Sequence, residues 1–407
     1  MKQLLWIGCL EDDVEFQDKV KKGANLGSAH VSQKNILDGI EEVSGLTFDS
    51  INGSVLPPFP KYSEKYIEEK KWSHKGDTFD ISVGYKNIKY LNRLYCKYSM
   101  IDVAKRWVKD RYKGKELDVF VYSMRSAPMA TACYIKKRIP NAKIYLIITD
   151  LPKFMDLGQN SIKKILKKID WLFIKKYQRQ FDGFILYAEK MADFLHIPKE
   201  KWILMEGSYN VEEQSLNNIS LNKDINAIMY SGNLDIQYGI DKLLNAFMKI
   251  PDENVELWLT GGGNAEKYIK KCCEKDERIK FFGFLPSRKD VLNLQRKATC
   301  LINMRLPSEI ASSYCFPSKL FEYMATGIPV LSFRLGGIPN EYFKYLVTIE
   351  HEDEESIKEA IVNIIIMNKD ERKKIGCDAR DFILKKKNQK IQCRKIIEFI
   401  KGEIKNG

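Results

Sequence analysis

Four things are missing from this chain, and each absence narrows what it can be. None of its nine cysteines (9, 96, 133, 272, 273, 300, 315, 377 and 393) pairs as C-x-x-C. Their odd, scattered placement reads as reduced cytosolic thiols, not a disulfide framework or a zinc site. No apolar run reaches the roughly 18–20 residues that span a bilayer. No Asp-x-Asp stands at a strand end to hold a divalent cation: EDD at 11–13 lacks that spacing, and HEDEE at 351–355 reads as a solvated helix start. No basic segment is interleaved with stacking aromatics, so nucleic-acid binding would rest on charge alone. The opening MKQLLWIGCLEDD meets acidic residues directly after a short apolar run and offers no small-residue cleavage site. It reads as a buried first strand, not a leader, and a cytoplasmic protein is the expectation.

What is present is size, charge and pattern. A chain of 407 residues is too long for one ordinary core and predicts two domains of roughly 200 residues. The net charge of +13 points to an anionic partner: nucleic acid, membrane surface or phosphorylated substrate.

Strand-like runs alternate with helical patterns. QLLWIGCL (3–10) is followed by a glycine-containing loop, KKGANLGSAHVSQ, and then a helix. ELDVFVYS (116–123), AKIYLIITD (142–150), GFILYA (183–188) and WILMEG (202–207) continue the first half. The pattern restarts with NAIMYSGN (226–233), VELWLTGGG (255–263), IKFFGFL (279–285), TCLINM (299–304), PVLSF (329–333) and YLVTIE (345–350). These runs are β-branched and barely alternate, as strands buried on both faces do in a parallel sheet. The fold class is therefore α/β: two doubly wound domains, with the cleft between them as the default site. The expected boundaries are 1–210, 211–385 and a basic terminal helix at 386–407.

The segment CFPSKLFEYMATGIPVL (315–331) raises a question of chemistry. Ser318 suits an N-cap, Lys319 opens a short helix, and Glu322 shares its face three residues on. A helix N-terminus plus a lysine makes a pyrophosphate cradle, and a carboxylate one turn later can accept from two ribose hydroxyls. A capped surface helix with a Lys–Glu pair would show the same spacing.

FPSKLFEYMATGIPVLSFRLGGIPNEY resembles the donor-binding segment of family 4 glycosyltransferases of the GT-B fold, and more narrowly bacterial enzymes that build capsule or exopolysaccharide. YSGNLDIQYGI, LTGGG, IKFFGFLPSRKDVLNLQRKA, LINMR, GSAHVSQKN and ITDLP fit in order. The resemblance implies a cleft between two Rossmann-like domains, with the last helix crossing back to the first. It implies a retaining transfer of a hexose from a nucleotide sugar, UDP-linked before GDP-linked, without metal or cofactor. Lys319 and the amides near Ser318 and Leu320 would hold the diphosphate, and Glu322 the ribose. Gly232 would let the first loop approach the phosphates, and Phe284 and Leu285 would meet the base beside Arg288. Arg305 would add charge, with Asn233, Gly261 and Pro317 on the same donor side. Tyr314 stands where relatives often place a second Glu, and Asn233 and Tyr238 where many carry Arg and Lys. These departures also fit a degenerate partner subunit. A sugar-nucleotide epimerase of the same architecture is a further alternative.

In the first half, Asp150 ends a buried run before Leu151-Pro152 and resembles the position where relatives place a polar residue beside the reacting sugar. It is expected to position the acceptor or act as acid or base, although an Asp before Leu-Pro also suits a plain turn. His30, with Gly27 and Ser28 in the glycine-rich loop, is the one histidine of four placed near the expected cleft. It reads equally as a surface helix start. Ser123 and Arg125 follow a strand end and could meet the acceptor.

SIKKILKKIDWLFIKKYQRQF (161–181) carries apolar residues at helical period, lysines on the remaining face, and Trp171 as an interfacial anchor. Either the stripe packs inward with the lysines solvated, or the helix faces anionic lipid. A lipid-linked acceptor and peripheral attachment at the inner face of the plasma membrane would account for the net charge as well.

Overall fold

The structure, a computed structural model, describes residues 2–24, 27–154, 161–210, 226–285 and 287–404. It divides into two compact units, Met1–Ser208 with Gln389–Gly407, and Tyr209–Asn388.

The first unit runs β1 (Lys2–Gly8), α1 (Asp13–Lys21), α2 (Gly27–Ser44), β2 (Phe48–Asn52), β3 (Tyr66–Ile67), β4 (Lys70–Trp72), β5 (Asp80–Ser82) and β6 (Tyr85–Lys86). It continues with α3 (Asn92–Asp110), β7 (Glu116–Tyr122), α4 (Ser126–Arg138), β8 (Lys143–Ile148), α5 (Ser161–Gln178), β9 (Gly183–Leu186), α6 (Lys190–Leu195) and β10 (Trp202–Leu204). Eight strands form one sheet in the order β10-β9-β8-β7-β1-β2-β5-β4, and β3 and β6 form a separate antiparallel ribbon. The sheet is parallel except for its β4 edge. Its centre is β1, where Leu4, Leu5, Trp6 and Ile7 are fully enclosed, as expected for a strand covered by helices on both faces.

The second unit runs β11 (Asn226–Asn233), α7 (Ile240–Met248), β12 (Val255–Gly262), α8 (Glu266–Lys275), β13 (Ile279–Phe281), α9 (Arg288–Lys297) and β14 (Cys300–Asn303). It ends with α10 (Lys319–Ala325), β15 (Val330–Phe333), β16 (Val347–Ile349), α11 (Glu354–Ile366) and α12 (Lys369–Lys386). Its six strands are all parallel, ordered β13-β12-β11-β14-β15-β16. The HEDEE segment does start a helix: Asp353 caps α11 by accepting from the Ser356 amide at 2.8 Å.

A last helix, α13 (Gln389–Ile400), packs against α2 of the first unit. Two glycines make room for it. A Cβ at Gly39 would stand 2.5 Å from Cys393 Sγ, and one at Gly183 would stand 2.8 Å from Phe399 Cε1. Gln392 Nε2 donates to Glu206 Oε2 and to the Gly207 carbonyl, both at 2.9 Å.

Several expectations need correction. The presumed loop 21–33 is mostly helix: α1 ends at Lys21 and α2 begins at Gly27. Strand β2 is not anticipated because Asp49 on one face and Ser50 and Asn52 on the other break the apolar pattern. Those side chains are buried and bonded to Trp107, Asp80 and the Leu10 amide. The run 279–285 is strand only to Phe281, and Phe284 beyond it is 77% exposed.

His74, between β4 and β5, clamps this polar layer. Its Nδ1 lies 2.6 Å from Asp80 Oδ2 and its Nε2 3.1 Å from Glu41 Oε1. Burial disfavours the imidazolium, but hydrogen bonds to Asp80 and Glu41 outweigh it and push the pKa up to about 9. Burial likewise pushes Glu41 up, and the bonds from His74 and the Phe48 amide outweigh it and leave it lowered. Because the folded-state value lies above the ordinary 6.5, the His74 contribution is complete below pH 6.5 and lost as pH rises through about 9. Urea melts across that window should show wild-type stability falling with pH, and His74→Gln should be weaker at pH 6.5 with a flatter profile. Identical slopes in the two proteins would remove the clamp.

Candidate functional site

In the second unit the site is built on two glycines. Strands β11 and β12 run in register so that Gly232 faces Gly261 at their carboxyl ends. Both adopt positive φ, +141° and +135°, a region side-chain-bearing residues rarely occupy. A Cβ at Gly261 would lie 1.8 Å from the Gly232 carbonyl oxygen, and one at Gly232 would lie 2.1 Å from Lys319 Nζ. The side chain absent at Gly261 leaves room for the Gly232 backbone, and the one absent at Gly232 leaves the space through which Lys319 passes.

Lys319 is the first residue of α10, a short helix that follows Phe316-Pro317 and ends before Gly327 at φ +77°. Its Nζ donates to the Ser231 carbonyl. Burial pushes the ammonium pKa down, and Glu322 only partly offsets this. Lys319 and Glu322 are not simply paired with each other as a surface Lys–Glu couple would be. Glu322 Oε1 accepts from Gln295 Nε2 at 2.6 Å, and Glu322 Oε2 lies 3.7 Å from Arg288 Nε. Gln295 also donates to Ser231 Oγ at 2.9 Å. The Tyr323 hydroxyl donates to the Ser231 carbonyl at 2.9 Å and accepts from the Ser231 amide at 2.9 Å. One strand-end residue therefore gathers Lys319, Gln295 and Tyr323, and Gln295 ties in Glu322.

Some anticipated donor residues take other roles. Ser318 is exposed, has helical backbone angles and makes no side-chain cap. The Leu320 amide donates to the Pro317 carbonyl at 2.9 Å, so it serves the turn. Arg288 opens α9 and sits beside Glu322. The Gly283 carbonyl accepts from the Gly261 amide at 2.9 Å and from Thr260 Oγ1 at 2.7 Å, which fixes the loop leading to Phe284 and Leu285. The exposed Asn233 gives its carbonyl to the Tyr230 hydroxyl at 2.8 Å. The Arg305 guanidinium lies over the Tyr238 ring at 5.7 Å, outside the bonded set around Ser231. Sequence reasoning missed Ser231, Gln295 and Tyr323. Tyr323 is signalled by standing one turn after Lys319, but nothing marks Gln295 among the charged residues of RKDVLNLQRK.

In the first unit the anticipated acceptor residues follow the carboxyl ends of three adjacent strands, β1, β7 and β8. Gly27 opens α2 and Ser28 follows it. His30 is neither in a loop nor on the surface. It is buried in α2, stacked on Phe16 at 4.3 Å, with Nε2 3.8 Å from Asp13 Oδ1 and Nδ1 unpartnered. Burial lowers its pKa more than Asp13 raises it, so the ring tends to neutrality. Ser123 follows β7, and Arg125 precedes α4 with one guanidinium nitrogen buried and unpartnered. Asp150 is exposed, two residues past the end of β8 at Ile148. Among the described residues no group of three or more His, Cys, Asp or Glu could hold a metal ion.

The two glycines should respond differently to alanine. Gly261→Ala meets backbone and should lower stability by about 2–4 kcal/mol in denaturant melts. Gly232→Ala meets the movable end of Lys319 and should cost less stability while displacing that side chain. Equal losses would contradict the geometry.

Residues 211–382 match the family model described as glycosyl transferases group 1. No curated protein sequence matches the chain. Among solved structures it is similar to a sucrose-phosphate synthase from Thermosynechococcus elongatus, with a TM-score of 0.67 at 15% identity, over 98% of this chain and 99% of that one. It is similar also to a trehalose-6-phosphate protein from E. coli bound with UDP-2-fluoro glucose, with a TM-score of 0.67 at 12% identity, over 99% of this chain and 100% of that one. At these identities the likeness establishes the fold: two Rossmann-like α/β units, as the strand pattern predicts. The second unit adds to it the sequence pattern of the group 1 glycosyl transferases.

Proposed function

We propose that the chain is a retaining, metal-independent glycosyltransferase. It moves a hexose from a nucleotide sugar, UDP-linked before GDP-linked, to a lipid-linked or oligosaccharide acceptor in cell-surface polysaccharide synthesis, capsule or exopolysaccharide. The observation that carries the reading is the space left by the missing side chain of Gly232 and entered by Lys319, with Glu322 fixed beside it by Gln295. A strand end without side chains of its own lets phosphate oxygens approach backbone and ammonium together. A carboxylate held on one side by Gln295 keeps acceptor capacity for ribose hydroxyls. Lys319 is half-buried, its ammonium is disfavoured by desolvation, and a diphosphate would supply counter-charge.

The chemistry asks little of acid–base pairs. The acceptor oxygen attacks the anomeric carbon from the face the diphosphate leaves. The anomeric C–O bond to phosphate breaks, and the departing phosphate oxygen takes the acceptor proton. The protein orients both partners and stabilises the leaving charge. Lys319 and Arg305 supply that charge, and Asp150 and Ser123 position the acceptor. Arg125, with a buried unpartnered nitrogen, suits an anionic group on the acceptor. We assign the start of α2, with Gly27, Ser28 and His30, to the same acceptor side. This acceptor class implies a cytoplasmic protein peripheral to the inner face of the plasma membrane, with the anionic membrane surface as a partner.

Melting temperature measured against a panel of nucleotides and nucleotide sugars, with and without chelator, tests the donor site. UDP and one UDP-sugar should raise it, as any ligand of the folded state must. Silence across the panel in a folded sample would favour the degenerate-partner reading prompted by Tyr314, Asn233 and Tyr238. Lys319→Ala should abolish transfer and weaken UDP binding at least about tenfold. Glu322→Gln should weaken UDP binding more than pyrophosphate binding, and equal weakening would remove the ribose role.

A further inference from the structure

Helix α5 turns its apolar stripe away from the rest of its unit. Ile165, Leu166, Ile169, Leu172 and Phe173 are all exposed, Leu172 to 69% and Ile165 to 58%. Their spacing puts them on one helical face. A different side packs inward: Ile174 and Gln178 are buried. Trp171, expected as an interfacial anchor, is instead half-buried, 6.1 Å from the Phe194 ring.

Helix α3 extends the exposed surface. Leu94 and Tyr98, one turn apart, are both exposed, Tyr98 to 61%. Lys97 Nζ lies 5.2 Å from the Phe173 ring, and Arg93 Nη1 lies 3.7 Å from Asp170 Oδ2, so the two helices are neighbours. Scattered exposed apolar residues need no explanation, but a contiguous surface across two helices does.

The charge around it selects the occupant. Residues 163–176 hold six lysines and a single acid, Asp170. Lys163, Lys164, Lys168 and Lys176 are exposed and make no ion pair among the described residues. A second copy of this chain would bring the same lysines against them, which repels. Flexible lysines flanking an apolar stripe suit fluid anionic headgroups above acyl chains.

We propose that the α3–α5 face docks on an anionic lipid bilayer, with Leu172, Ile169 and Leu94 at the acyl boundary and the lysines on headgroup phosphates. The proposal names the membrane partner of the transferase reading and rests on it for purpose, not for geometry.

Sedimentation of the full chain with phosphatidylglycerol or phosphatidylcholine vesicles at low salt tests it. Wild type should pellet with phosphatidylglycerol and stay in solution with phosphatidylcholine. Leu94→Asn with Leu172→Asn, and separately Lys163→Gln with Lys164→Gln and Lys168→Gln, should each weaken pelleting about tenfold. Lys270→Gln with Lys271→Gln and Lys275→Gln, on α8, should pellet like wild type. Melting temperature and the UDP-induced shift, read in the same samples, should not change. A lost UDP response with retained vesicle binding would overturn the transferase reading alone. Three results would overturn the docking face: no pelleting of wild type, equal loss in the α8 variant, or a lipid-free dimer of wild type that the two leucine substitutions dissolve.

Discussion

The second unit is organised by the close approach of two backbones where β11 and β12 end. The Gly232 carbonyl occupies the place a side chain at 261 would need, and Lys319 occupies the place a side chain at 232 would need. Everything polar around it follows. With the lysine laid across the strand end, the Ser231 carbonyl gains a donor, and Tyr323 and Gln295 complete the same residue's hydrogen bonds. Glu322 then has its orientation set from α9 and not by its neighbour on α10. A helix of seven residues would hold such a geometry poorly alone. It is fixed by contact with α12, where Gly376 lets the chain approach the Gly327 carbonyl so closely that a Cβ would lie 1.9 Å from it.

The first unit places its candidate groups by a different rule. They follow the ends of adjacent parallel strands, the usual position for ligands of doubly wound sheets. The same unit holds a buried polar layer around β2 and β5. Ser50, Asn52, Asp80, Glu41 and His74 are linked by hydrogen bonds and shielded, and Asp49 is held separately by Trp107 and Arg111, so the layer holds only while each partner is present.

That polar layer also shows where the sequence was hard to read. Apolar strands such as β1, β7, β8 and β11 stand out because short, uniformly apolar runs bounded by polar residues have few other readings. Strand β2 carries Asp49, Ser50 and Asn52, and only their tertiary partners make it a buried strand. In the candidate site, the grouping of Lys319 and Glu322 on one helix turn and the two strand-end glycines, Gly232 and Gly261, is legible from residue types at fixed spacing. Gln295 is not, because a glutamine becomes informative only when one sees what it touches. The helix 161–178 was legible as amphipathic, but periodicity gives the existence of a stripe and not its direction. The anticipated anchor Trp171 turned inward, and Leu172 turned outward.

The placement of α13 has a consequence for the order of synthesis. The first unit is completed by α13, which follows the second unit in the chain, fills the notches at Gly39 and Gly183 and bonds to Glu206 through Gln392. Residues 1–208 therefore leave the ribosome as a sheet lacking one covering helix, and remain so while 209–388 are made. The unit translated first is closed last. The nascent chain leaves the face of α2 around Gly39 and the Ile36 carbonyl uncovered until α13 emerges. A message broken late, after the second unit is whole, would yield that unit folded beside a first unit lacking its closing helix.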